Sequence, residues 1–327
     1  MKVFVFNYRD FDEAEYFTKE SEALGVELGI CRETPTLANI DLAAGYDCIS
    51  IITTPIDAAL MKRIKELGIK MVSTRTIGYD HVDIKAAKEL GIKVSNATYS
   101  PNGVADYAIM LMLMASRKMT HIMERADIRD FSLKGIQGRE FASFTVGIIG
   151  TGRIGRTVVR HLSGFGCRIL AYDLYESEEV KQYATYVPLE EIWQQCDLIS
   201  FHAPLTDENF HMVNAETIAK MKDRVILVNT ARGGLIDSQA LIDAIESGKV
   251  GAAALDVVEN EFNLYYYDLK SQVLQNRELA ILKSFPNVIV TPHMAFYTDR
   301  DVHDMVYASL KSCLLEEAGE ENPWRVL

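Results

Sequence analysis

The stretch Thr145-Val146-Gly147-Ile148-Ile149-Gly150-Thr151-Gly152-Arg153-Ile154-Gly155 decides the fold. A short β-prone run, Thr145–Ile149, leads without a break into three glycines at the spacing G-x-G-x-x-G, and Val158, Val159 and Leu162 then recur at helical intervals. Glycine-rich turns alone are common, but between a strand and a helix each glycine has a task. Gly150 permits the tight turn, Gly152 lets the backbone approach a pyrophosphate, and Gly155 lets the helix pack closely on the strand. The helix start offers free N–H groups and the positive end of a dipole to phosphate oxygens. The next apolar run, Cys167–Tyr172, ends at Asp173, 18 residues beyond Gly155. There a dinucleotide site places the carboxylate that binds the adenosine ribose hydroxyls. The same carboxylate repels a 2′-phosphate, and Leu174-Tyr175-Glu176 offers no arginine to receive one. NAD is therefore favoured over NADP.

The alternation continues outward in both directions. Val3–Phe6, Cys48–Ile52 and Lys70–Ser73 read as strands on the N-terminal side, and Leu198–Phe201, Val225–Asn229, Ala252–Val257 and Val288–Val290 on the C-terminal side. Between them lie helical patterns such as Asp12–Leu24 and Asp57–Leu67, and Gly68 and Gly91 each follow a Glu-Leu pair, where a helix-ending glycine belongs. Strands alternating with helices of this length mean βαβ units and parallel sheets covered on both faces. Ser100 and Pro101 open a longer helix to about Arg117, whose apolar middle, Ile109–Met114, predicts burial on both sides. Glu259–Asn276 is polar and aromatic without a period and reads as an excursion, and a last helix follows over Asp299–Glu316. At 327 residues the chain calls for two domains.

Composition removes several function classes. Acidic residues outnumber basic ones 46 to 34, so clustered Lys and Arg for a phosphate backbone are wanting and nucleic acid is not an expected partner. The longest apolar run, Ala108–Ala115, is far shorter than the roughly 20 residues of a membrane span. The N-terminal apolar stretch is too short for a signal peptide, so no export is expected. Five scattered cysteines without a C-x-x-C pair argue for reduced thiols in the cytoplasm and against a metal site.

Three later residues carry candidate chemistry: Arg232 in Asn229-Thr230-Ala231-Arg232-Gly233-Gly234, Glu261 beyond Leu255-Asp256-Val257, and His293 after Thr291-Pro292. Each follows a strand run, and open α/β sheets bind ligands at the carboxyl ends of their strands. Reduction of a 2-oxo acid needs a cation for the carboxylate, a proton donor for the carbonyl oxygen, and a group that keeps the donor charged. Arginine offers a bidentate fork, histidine titrates near neutrality, and a neighbouring carboxylate stabilises and orients an imidazolium. Taken singly, an arginine before Gly-Gly also suits an exposed turn, Glu261 has Glu259 beside it, and a histidine after proline is often structural. Sequence separation leaves those readings open.

Over nearly its full length the chain resembles the D-isomer-specific 2-hydroxyacid dehydrogenase family. The glycine fingerprint, Asn229-Thr230-Ala231-Arg232-Gly233 and the Asp256…Glu261…Pro292-His293 set carry the likeness. Ser73–Gly78, Tyr99-Ser100-Pro101-Asn102 and His293–Thr298 are similar to the D-lactate dehydrogenase branch, as is the separation of 32 between Glu261 and His293. The resemblance implies an α/β architecture of two Rossmann-like, doubly wound parallel-sheet domains with a cleft between them. Residues 1–100 with 299–327 would form a discontinuous substrate domain and 101–298 the NAD domain, and family members usually form homodimers. It further implies Arg232 as substrate-carboxylate ligand, His293 as proton donor and Glu261 as its partner. Ile77, Gly78, Tyr99 and Phe296 would border the substrate. Besides Gly150, Gly152 and Gly155, the NAD contacts would be Arg153, Ile154, Asp173, Ala203, Pro204, Asn209, Thr230, Ala231 and Asp256. The implied activity is NADH-dependent reduction of a 2-oxo acid to the D-2-hydroxy acid. Ile51-Ile52-Thr53-Thr54-Pro55 carries no Lys or Arg, which counts against 2-oxoglutarate and leaves pyruvate, 4-methyl-2-oxopentanoate and phenylpyruvate. The competing readings are an NAD-sensing, corepressor-like binding protein on the same fold and an oxidoreductase for a one-carbon or inorganic substrate.

Overall fold

The computed structural model describes residues 1–261 and 264–327. The chain divides into two compact units, Met1–Ser100 with Tyr297–Leu327, and Pro101–Phe296.

The first unit is built on β1 (Lys2–Val5), β2 (Glu27–Ile30), β3 (Cys48–Ile51), β4 (Met71–Thr74) and β5 (Lys93–Ser95). They lie in the order β2-β1-β3-β4-β5, every neighbouring pair parallel. β3 and β4 are buried along their whole length, as continuous apolar strands in a covered parallel sheet must be. Ile49 and Ile51 pack with Ile56, Leu60, Met61 and Ile64 on one side, while Cys48 joins Val306, Leu310 and Cys313 of the helix Asp299–Ala318 on the other. Arg75, just beyond β4, is fully buried. Its guanidinium pairs with Glu13 at 3.0 Å and donates to Ser50 Oγ and to the carbonyls of Phe6 and Asn7, so no donor is stranded at the cost that burial would exact. Burial still pulls its pKa below the ordinary arginine value against the pull of Glu13. This cluster ties the Thr74–Gly78 turn to the end of β1.

The second unit contains β6 (Thr145–Ile149), β7 (Arg168–Tyr172), β8 (Thr185–Tyr186), β9 (Leu198–Phe201), β10 (Val225–Asn229), β11 (Val250–Leu255) and β12 (Val288–Val290). The order is β12-β11-β10-β9-β6-β7-β8, again all parallel. Two separate apolar clusters, one on each face, show the double winding. The chain runs outward from β6 to β8 and then returns to β9 on the other side of β6. That reversal makes the carboxyl ends of β6 and β9 the topological switch point where such sheets bind ligands.

Every expected strand stands within two residues of its predicted bounds. Three further strands, β2, β5 and β8, carried no expectation, and all are sheet edges. Their burial is mixed, so they lack the apolar run or strict alternation that marks a strand in sequence. The run expected at Ala252–Val257 forms its strand two residues earlier because β11 begins opposite Val225. The helix Pro101–Arg117 is not covered all round: Met112 and Leu111 are buried but Met110 faces outward. Within the excursion expected at Glu259–Asn276 the described residues form neither helix nor strand, and positions 262 and 263 lie outside the described residues. Among the described residues no helix is long and apolar enough to cross a membrane.

Candidate active site

The carboxyl ends of the second unit's strands gather most of the residues singled out from sequence. After β6 the chain turns at Gly150, whose φ of 89° suits glycine. A side chain there would strike the backbone of His202 and Ala203, and one on Gly155 would run into the Gly150 carbonyl. Gly152, by contrast, has nothing within 4 Å of where a Cβ would stand. The close approaches thus belong to the turn and the helix, and the open side belongs to Gly152.

Arg153 and Ile154 begin the helix Arg153–Leu162, whose Gly152 cap position offers no side-chain hydrogen bond, the kind of helix start that receives an anion. Asp173, after β7, accepts the Thr151 N–H and hydroxyl at one oxygen and the Tyr175 N–H at the other, 3.0 Å away. A carboxylate has about four acceptor positions, so capacity for ribose hydroxyls remains. Beyond β9, Ala203 abuts Gly150, and Asn209 closes its loop by accepting from Thr206 N–H at 2.8 Å and donating to the Pro204 carbonyl at 2.7 Å. Thr230 Oγ1, next to Ala231 at the end of β10, is buried without a hydrogen-bond partner among the described residues. The open glycine, uncapped helix, acceptor carboxylate and orphaned hydroxyl fit a bound dinucleotide. His202, which the sequence reading passed over, is held neutral: burial pushes its pKa down to about 4, and its Nε2 lies 2.9 Å from Ser200 Oγ.

The three residues of the chemical constellation fall on neighbouring loops. His293 follows β12 with its ring Nδ1 2.7 Å from Glu261 Oε1. Its N–H donates to the Asp256 carbonyl at 2.8 Å. The Asp256 carboxylate, fully buried at the end of β11, accepts from Thr291 Oγ1 (2.6 Å), Met294 N–H (2.9 Å) and Ala295 N–H (2.9 Å), so it grips the His293 loop on both sides. Burial raises the Asp256 pKa against the opposite pull of these bonds. The other Glu261 oxygen accepts the Val258 N–H at 3.2 Å, which keeps its carboxylate folded toward its own loop.

Arg232 stands on a turn locked by Asn229, whose side chain accepts the Ala231 N–H at 3.0 Å and donates to the Arg232 carbonyl at 2.9 Å. The guanidinium donates to the Ala231 carbonyl at 2.7 Å. Gly233 lies against the backbone of Val258 and Glu259 so tightly that a Cβ would overlap it, and this joins the Arg232 turn to the Glu261 loop.

Glu259 and Glu261, two positions apart, have separate partners. Glu259 binds His211 Nε2 at 2.6 Å and accepts the Ser238 N–H at 2.8 Å, at the start of the helix Ser238–Glu246. It thereby links the loops after β9, β10 and β11. The Tyr265 ring meets the His293 ring edge-on, with centroids 6.5 Å apart, and burial and then the Glu261 charge hold its hydroxyl well above the usual tyrosine range. Phe296 makes an edge-on contact with Tyr266.

Ile77, Gly78 and Tyr99 belong to the first unit. There the Ile77 carbonyl accepts from Asn96 Nδ2 at 2.8 Å and the Gly78 carbonyl from the Thr76 hydroxyl at 2.6 Å, so side chains satisfy both carbonyls of this turn. The anchoring contacts of Asp256 and Glu259 carried no sequence signal, because each depends on a donor far away in the chain.

Comparison with known proteins gives one consistent picture. The profile of the D-isomer specific 2-hydroxyacid dehydrogenase NAD binding domain matches residues 109–295. The chain is 42% identical over 315 residues to an aromatic 2-oxoacid reductase of Clostridium sporogenes, covering 95% of this chain and 94% of that one. Its structure resembles a D-lactate dehydrogenase of Treponema pallidum, with a TM-score of 0.89, 36% identity and full coverage of both chains. It also resembles a D-lactate dehydrogenase with NAD+ from Lactobacillus jensenii, with a TM-score of 0.85, 30% identity and full coverage of both.

Proposed function

Because the chain belongs to the D-isomer-specific 2-hydroxyacid dehydrogenase family, an NAD-dependent oxidoreductase family acting on CH–OH groups, we propose that it uses NADH to reduce 2-oxo acids with apolar side chains, aromatic ones included, to D-2-hydroxy acids. The observation that carries this reading is the His293–Glu261 pair at 2.7 Å, gripped by Asp256 and placed beside the Arg232 turn. Bound NADH supplies the hydride to C2 of the 2-oxo acid. With Nδ1 directed at Glu261, Nε2 is the nitrogen of His293 that hands a proton to the carbonyl oxygen. The Glu261 carboxylate stabilises the charged ring before the transfer. Arg232 takes the substrate carboxylate in its fork, and the Asn229 lock fixes where that fork stands. Phe296 completes the substrate contacts that this unit offers. Gly150–Gly155, Asp173, Ala203, Pro204, Asn209, Thr230, Ala231 and Asp256 serve the cofactor.

The side-chain range follows from two supports. Ile52 and Thr54, after β3, are buried, with Thr54 Oγ1 bonded to Asn7, and their loop brings no cation for a second carboxylate. The relative from Clostridium sporogenes is named for aromatic 2-oxo acids. The working setting is the cytoplasm, in keeping with five unpaired cysteines, and the working form is a homodimer. For the dimer the support is the segment Met119–Leu133, whose helix buries none of its side chains and which exposes Met123, Ile128, Phe131 and Leu133.

The test follows loss of reduced-nicotinamide absorbance with pyruvate, 4-methyl-2-oxopentanoate, phenylpyruvate and 2-oxoglutarate, with product chirality determined. Turnover of phenylpyruvate to the D-product with a higher kcat/KM than 2-oxoglutarate is the expected result. His293→Asn lowers kcat by roughly 10²–10⁴, whereas Arg232→Ala raises KM as well. Wild-type kinetics in both variants would sink the assignment.

A further inference from the structure

Among the second unit's side-chain-bearing residues with positive φ are His293 at 52° and Tyr266 at 72°, a backbone region such residues seldom adopt. Such strain persists only where the surroundings over-determine it, and it gathers at working sites. Here the two strained residues are bonded to each other. The Tyr266 hydroxyl donates to the His293 carbonyl oxygen at 2.9 Å, across 27 residues of sequence. The same tyrosine ring meets Phe296 edge-on, with centroids 6.4 Å apart and planes at 90°. His293 is therefore held at three places: its N–H by the Asp256 carbonyl, its ring by Glu261, and its carbonyl by Tyr266. Asp256 and Glu261 lie in the segment that follows β11, whereas Tyr266 comes from the irregular excursion beyond it and has no part in the chemistry described above.

We propose that Tyr266 is a positioning residue for the reduction, its hydroxyl fixing the His293 peptide and its ring fixing Phe296. The proposal rests on the reading of His293 as proton donor. With the carbonyl released, the His293 backbone can relax out of the left-handed region. The ring then turns about its Glu261 contact, and Nε2 no longer keeps one place relative to the substrate oxygen. A displacement of this kind costs rate rather than affinity, because reacting groups must be aligned closely only in the transition state. The ring contact with Phe296 acts on the substrate side chain, so its loss is read in KM.

The experiment compares Tyr266→Phe, Tyr266→Ala and His293→Asn with the wild-type enzyme, using phenylpyruvate and NADH. Tyr266→Phe keeps the ring and removes the donor. The expected result is a fall in kcat of about five- to tenfold, the worth of one net hydrogen bond, with KM for phenylpyruvate, NADH affinity by fluorescence titration and melting temperature unchanged. Tyr266→Ala adds a rise in KM. Wild-type kcat in Tyr266→Phe beside an inactive His293→Asn overturns the proposal and leaves the proton donor standing. A fall in kcat that comes with a lower melting temperature or weaker NADH binding overturns it as well, since that marks a structural role. Full activity in His293→Asn removes the reading on which it rests.

Discussion

Replacing Asp256 by Asn separates an anchor for the His293 loop from a contact to the cofactor, the role that family resemblance implies for this residue. The two side chains have the same shape, but the amide has one acceptor oxygen where the carboxylate has two. At present one oxygen takes Thr291 Oγ1 and the Met294 N–H, and the other takes the Ala295 N–H. If the amide oxygen keeps the first two donors, its NH2 faces the Ala295 N–H, and two buried donors confront each other. The charge-assisted bond lost is worth about 1.5–3 kcal/mol, and each stranded donor costs about 1–3 kcal/mol. Against this, burial raises the Asp256 pKa despite its hydrogen bonds, so the neutral amide escapes a desolvation penalty that the carboxylate bears. The two effects act in opposite directions on global stability. They do not offset in geometry, because the conflict is relieved by moving residues 294 and 295, which follow His293 directly. A loop that spends about one part in ten to one part in a hundred of its time in the productive arrangement loses the same factor in kcat, about 1.4–2.7 kcal/mol. The assay is steady-state kinetics at saturating NADH, with NADH titration and thermal unfolding alongside. The expected outcome is a kcat fall of about 10- to 100-fold at saturating NADH. An unchanged kcat at saturating NADH, combined with weaker NADH binding, would refute the anchoring argument and leave Asp256 as a cofactor contact only.

Gly155→Ala should weaken NADH binding by at least about tenfold and destabilise the protein by about 1–3 kcal/mol, because the added methyl meets the Gly150 carbonyl and forces the turn open; fluorescence titration and urea unfolding measure both. Asp301, 1% exposed at the start of the helix Asp299–Ala318, has its pKa pushed up to about 6, chiefly by burial. The folded state therefore binds this proton more tightly than the unfolded chain, and the resulting destabilisation is absent below about pH 4 and complete above about pH 6. Asp301→Asn is expected to be more stable than wild type at pH 8 by up to about 3 kcal/mol, with the advantage gone near pH 4; equal unfolding midpoints at pH 8 would contradict this. Phe131 and Leu133 are 78% and 84% exposed, and changing both to Asp should convert a homodimer to a monomer in light scattering, while a wild-type protein already monomeric would end that proposal.

Local sequence was enough to read the parallel α/β class, the nucleotide turn and the strands of the sheet interiors. A central parallel strand must be apolar on both faces, and a phosphate turn must carry glycine where side chains would collide, so both requirements are written residue by residue at Thr145–Gly155. Edge strands face fewer demands, and β2, β5 and β8 left no comparable mark. Arg232, Glu261 and His293 stood out as candidates after their strands, and the family resemblance supplied the roles proposed for them. Their arrangement was not. That Glu259 turns to His211, which carboxylate grips the 291–295 loop, and that Tyr266 reaches back to the His293 carbonyl were decided only by tertiary structure. Hydrogen bonds of this kind join residues tens of positions apart through short-range contact. Their partners are chosen when the strands take their order in the sheet, and nothing in the local pattern on either side records the choice.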